Sequence, residues 1–186
     1  QTMKIKSRHY FLSLLIGFFA IELNALPEMI IGESSIKPGI DLIFEGGIKD
    51  DVQGDKFFLN ENETDIHLEV IANWSDNAPS GSPVGGHVAY LDITAVIANE
   101  KTNKTLTVNL MPHLNMSDNL HYAQNIKLPG AVDQDYTVIF KVNPPKSGNI
   151  GMHYDWRQQV SNSLTPGGIF EFNHLNFKEI ALSTRR

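Results

Sequence analysis

Three short segments hold most of the side chains that could do chemistry. The first is Asp65-Ile66-His67-Leu68-Glu69-Val70-Ile71. Side chains alternate along a strand, so Ile66, Leu68 and Val70 share one face and Asp65, His67 and Glu69 the other. His67 and Glu69 then stand about 7 Å apart and can serve one site, or they line an ordinary solvated face. The second runs from Leu110 to Tyr122. It offers Met111, His113, Met116, Asp118 and His121, with Pro112 and an Asn/Asp cluster marking a loop where donors can converge. The competing reading makes the methionines core filler and the histidines surface residues. The third, Gly151-Met152-His153-Tyr154-Asp155-Trp156, adds His153 after a Pro-rich turn. His87 and His174 lack donor-rich neighbours and read as structural or surface residues.

Imidazole suits copper, zinc and iron; thioether sulfur favours Cu(I); a neighbouring carboxylate favours a harder ion such as iron. The chain has no cysteine, which removes disulfides, thiolate zinc sites, iron–sulfur clusters and thiol nucleophiles. A metal site must use His, Met, Asp or Glu. Histidine binds metal only when neutral, so affinity should fall as pH drops through about 6.5. No G-x-S-x-G, H-E-x-x-H, P-loop or G-x-G-x-x-G occurs, and no catalytic set emerges. A redox cycle at a metal is the one enzymatic activity left open. The net charge of -6 over 186 residues argues against a nucleic-acid binder.

The elements that would position these donors read as strands. Candidates are 40–45, 64–74, 88–99, 106–110, 125–128, 136–142 and 169–182 with a break. Their spacing is mostly two, and Gly, Pro, Asn and Asp fill the gaps. No stretch of about twelve residues has a helical period. The expected fold is all-β: an immunoglobulin-like antiparallel β-sandwich of about seven or more strands. Residues 1–25 read as a signal peptide, with Gln1-Thr2 a possible read-in, a basic start at Lys4, Lys6 and Arg8, and an apolar run before Glu22. Ala25 is the favoured cleavage position and Ala20 the second. Residues 26–39 form an extended lead-in, and 40–186 a single β-sandwich metal-binding domain, exported and more acidic once the leader is gone.

Taken in order, these segments resemble the periplasmic iron-transport family of immunoglobulin-like, copper-binding proteins that accompany bacterial iron permeases. That family carries D-I-H-L-E on one strand, here Asp65–Glu69. It carries L-M-P and then D-G-P-H-Y-G; here Leu110-Met111-Pro112 precede Asp118-Asn119-Leu120-His121-Tyr122-Ala123. It then carries N-P-P and G-F-x-R-H-x-D; here Asn143-Pro144-Pro145 precede Gly151-Met152-His153-Tyr154-Asp155. The resemblance implies copper ligands at His67, Met111, His121 and His153, and a second, carboxylate-assisted cation position, for iron, at Glu69 and Asp118. It also implies a homodimer with the site near its interface, an inner-membrane iron permease as functional partner, and the periplasm as location. No membrane anchor would remain after signal cleavage. Departures are Asn119-Leu120 for Gly-Pro, Ala123 for Gly, Met152 for Arg, and His113 for the Met after L-M-P. His113 is thereby an added candidate donor, and Met116 and Met152 are others. Two alternatives stay open: a copper-trafficking or copper-resistance protein unrelated to iron uptake, and an immunoglobulin-like interaction module with no metal.

Overall fold

Runs of alternating β-branched and aromatic residues pair here into one antiparallel system, seen in a computed structural model that describes residues 28–54 and 56–185. The signal peptide expected at 1–25 lies outside the described residues. The strands are β1 (Met29–Ile36), β2 (Ile40–Ile48), β3 (Ile66–Trp74), β4 (Asp92–Asn99), β5 (Thr105–Leu114), β6 (Leu120–Ile126), β7 (Asp135–Asn143) and β8 (Gly168–Asn176). Two short α-helices accompany them among the described residues, α1 (Tyr154–Gln159) between β7 and β8 and α2 (Lys178–Leu182) after β8. At six and five residues they are too short to leave a helical period in the sequence. The spatial order is β1-β2-β3-β6-β5-β4-β7-β8.

β5 belongs to both layers. Its first half, Thr105–Leu110, pairs with β4, and its second half, Met111–Leu114, pairs with β6. Pro112 falls after the β4 pairing has ended, on a free flank where a missing N–H is tolerated. Between the layers lies an aromatic cluster, with the Phe44 ring 4.7 Å from Phe140, 5.1 Å from Phe170 and 5.2 Å from Phe172. Gly32 of β1 abuts Phe172 of β8 so closely that a Cβ would not fit, which draws the two end strands together in a barrel-like closure.

The all-β antiparallel reading is borne out. The boundaries differ in several places: β2 runs on to Ile48, β4 starts at Asp92 rather than at 88, and β5 runs on through Pro112 to Leu114. The lead-in contains β1, paired along β2, because Gly32, Ser34 and Ser35 dilute an apolar alternation that the sheet still uses. β6 starts at Leu120, five residues before the expected strand, since the His-rich stretch there is ladder rather than loop. The expected last strand ends at Asn176, and Phe177 turns the chain into α2.

Tyr122, on the inner side of β6, ties this strand to the segment before β4. Its hydroxyl donates to the Val88 carbonyl at 2.7 Å and accepts the Leu91 N–H at 3.0 Å. Tyr90, between them, has a positive φ of 69°.

Candidate metal centre

β3 brings Ile66, Leu68 and Val70 to the core, as the alternation predicts, and turns His67 and Glu69 to the other face. That face is not solvated. The chain between β2 and β3 folds back over it, and both side chains are only 4% exposed. Ladder register decides what they meet. His67 stands opposite Asn125 of β6 and Gly47 of β2; Glu69 stands opposite Ala123 and Glu45. On the other side of β6, His121 faces His113 of β5, and Ala123 faces Met111. One face of β6 thus presents His121, Ala123 and Asn125, flanked by His67 and Glu69 on β3 and by Met111 and His113 on β5.

Two donor clusters result. One ligand atom each from His67, His113 and His121 lie within 4.8 Å of one another, and so do one each from Glu69, Asp118 and His121. His121 is common to both. The ring centroids are 5.1 Å apart for His67–His113, 6.2 Å for His67–His121 and 5.9 Å for His113–His121. A cavity of about 350 Å³ opens over the three rings, with Asp50, Phe58, Asn115 and Arg185 on its walls.

Hydrogen bonds orient the rings. Asn125 donates its amide to the carbonyls of Asp50 (2.8 Å) and Leu59 (2.9 Å), so its Oδ1 is left to accept. It lies 2.6 Å from His67 Nδ1, which therefore carries the proton and leaves a lone pair at Nε2. His121 Nδ1 donates to the Asn119 carbonyl at 3.1 Å, again freeing Nε2, which sits 3.6 Å from a Glu69 carboxylate oxygen. Asp118 is fixed in the β5–β6 hairpin: Asn115 Nδ2 (2.8 Å) and Ser117 Oγ (2.9 Å) donate to it. Gly47 leaves the space that the Glu69 carboxylate occupies; a Cβ there would lie 2.6 Å from its Oε1.

Electrostatics follow from burial. Loss of water pushes His67 down to about 4, against the Asn125 hydrogen bond that favours its charged form. His113 is also pushed down to about 4, by burial and then by its two histidine neighbours. His121 is lowered by burial. His67 and His113 are therefore neutral, and ready to bind, well below pH 6.5, and His121 shifts the same way; the expected loss of affinity moves to more acid pH. Burial, and then Asp118 and Glu45, raise Glu69 to about 8. Glu45, across the ladder, is raised to about 7. A cation beside these carboxyls would displace their protons.

Of the six residues expected from the sequence, His67, Glu69, Asp118 and His121 come together. Met111 is on the same face, beyond Ala123, and is 38% exposed. His153 is exposed, just ahead of α1. That helix is held by Trp156 against Trp74, their rings 6.3 Å apart. Trp74 is seven residues from His67 along β3, roughly 24 Å. Within one chain His153 does not join the cluster. Sequence reasoning noted His113 only as an added donor and missed Asn125. Continuing the period of two along β6 from His121 would have reached Asn125.

Residues 25–178 match the family described as Fe2+ transport protein. The chain belongs to this family. Solved structures with the same fold include a copper-bound variant of FetP from uropathogenic Escherichia coli strain F11, at 23% identity over 81% of this chain and 99% of that one, TM-score 0.67. A copper-bound variant of Campylobacter jejuni P19 is 22% identical over 80% and 96% of the two chains, TM-score 0.68. Copper-reconstituted P19 is 24% identical over 80% and 96%, TM-score 0.66. No curated protein sequence matches the chain. Among the described residues of this Fe2+ transport family member, no helix is long and apolar enough to cross a membrane.

Proposed function

We propose that this protein is an exported, periplasmic metal-binding component of a bacterial iron-uptake system, binding copper at the histidine cluster with a carboxylate-assisted position for iron beside it. The observation that carries the reading is convergence: His67 and His121, from different strands, turn unprotonated Nε2 atoms into one buried pocket whose next donors are Glu69 and Asp118. The residues fit copper, because neutral imidazoles in a dry site prefer it over magnesium or calcium. FetP and P19 are copper-bound in the structures that share this fold, and the family is described by ferrous-iron transport.

His67 and His121 hold the copper ion. Met111, on the same face, and His153 from a second copy complete the set in a homodimer, since His153 is too far away in its own chain. Asn125 and the Asn119 carbonyl keep the rings in the binding tautomer. Glu69 and Asp118 take the harder ion, and Glu69 gives up a proton as that ion enters. Copper, when bound, supplies a one-electron couple next to that position. The acidic exported chain would serve an inner-membrane iron permease after removal of the signal peptide at 1–25. Titration of the protein with Cu(II), compared with His121→Ala, tests the assignment: affinity should fall by about a hundredfold or more, and equal affinity in the two would sink it.

One observation favours a copper-trafficking role without iron, namely that His113 adds a third imidazole to the cluster. Growth of a deletion strain under iron limitation, against growth in copper excess, separates the two: the iron-uptake reading requires the iron-limited defect.

A further inference from the structure

We propose that His67, His113 and His121 of a single chain form a three-imidazole copper(II) core, with His113 a ligand in its own right and with Met111 and the second copy's His153 not needed for loading. This rests on the placement of copper at the histidine cluster and specifies how one chain holds it.

Three observations carry the assignment. The first is geometry. The three donor atoms already lie within 4.8 Å of one another. Nitrogens bound to one ion at about 2.0–2.1 Å stand roughly 3–4 Å apart, so small ring rotations close the site. The second is an orphan. His113 is only 8% exposed, and its Nε2 is buried with no hydrogen-bond partner. Buried polar atoms are nearly always paired, and this one belongs to the ring that stands opposite His121 in the ladder and 5.1 Å from His67. Phe58 meets the same ring edge-on at 4.7 Å, which limits its rotation. The third is the state of the partners. His67 and His121 have their Nδ1 atoms engaged by Asn125 and by the Asn119 carbonyl, so both offer Nε2.

The donor set predicts the ion. A core of three nitrogens suits borderline divalent ions, and among these Cu(II) binds most tightly. All three ligands come from one chain, so loading does not wait for a second copy.

The test is Cu(II) binding by competition with a chromophoric chelator, together with the nitrogen hyperfine pattern in frozen-solution electron paramagnetic resonance. It compares wild type, His113→Ala and His113→Gln, with thermal melts to establish that each variant folds. The exposed His174→Gln is the control, since His174 pairs with Glu100 on the surface. Both His113 variants should bind Cu(II) about a hundredfold more weakly and lose one coupled nitrogen, while the control matches wild type. Wild-type affinity should be the same above and below the concentration at which any dimer dissociates. Unchanged affinity and spectra in both folded His113 variants would overturn the proposal while leaving copper at this face intact. Affinity that collapses with dimer dissociation would overturn its single-chain part. A wild-type protein that binds no copper overturns the broader functional reading and this one with it.

Discussion

The two faces of β3 are almost equally dry and have opposite effects. On the inner face Leu68 is fully buried among aliphatic and aromatic side chains, where loss of water stabilises the fold by roughly 1.5–3 kcal/mol per large apolar group. On the outer face His67 and Glu69 are 4% exposed, and the same loss of water disfavours their charged forms. One residue apart in sequence, one set holds the sandwich together and the other is held by it. Burial alone therefore does not identify a core; what the buried atoms can bond to does.

That contrast can be broken from either side. The largest effect belongs to the inner face. Leu68→Ala should cost about 2–5 kcal/mol of unfolding free energy, measured by denaturant titration, while copper affinity of the folded protein stays near wild type. A comparable loss of affinity would show that the two faces are not separable. On the outer face Asn125→Leu keeps the bulk but removes the acceptor that sets the His67 tautomer. Copper affinity of the folded variant should fall by about 10–100-fold, read by chelator competition, and the melt should fall too, because the Asp50 and Leu59 carbonyls lose the Asn125 amide. The smallest effect concerns pH. Glu69 is raised when folded, so its neutral form stabilises the fold below its ordinary value near 4.5, and that contribution is lost as pH rises through about 8. Metal-free wild type should lose stability steadily between pH 5 and pH 8 from this source, and Glu69→Gln should not. Equal slopes in the two proteins would mean that Glu69 is as well solvated folded as unfolded.

Much of this was legible in the sequence. The alternation through Ile66–Val70 gives β3 and its two faces, and the turn residues between runs give the all-β class. His67, Glu69, Asp118 and His121 could be named because they fall in ordered motifs. What could not be read is register. His113 meets His121 only because β5 continues through Pro112 and the hairpin turns at 115–119, and a proline beside a cluster of Asn and Asp reads as the end of a strand. Asn125 looked like the start of a strand, not the acceptor for a histidine fifty-eight residues away. His153 is the opposite case. Its motif singles it out, but the chain places it just ahead of α1, which packs at the far end of β3, away from the three clustered rings.

Tyr122 adds a statement about time. It is the residue after His121, its side chain is buried on the opposite side of β6, and its hydroxyl bridges Val88 and Leu91. The 88–91 segment is irregular backbone, the sort that would exchange its amide protons readily, yet the Leu91 N–H is closed by a phenol rooted in the core. Releasing it requires β6 to move, and β6 carries His121. Slow exchange at Leu91 should therefore report the integrity of β6, and with it that of the frame holding His121.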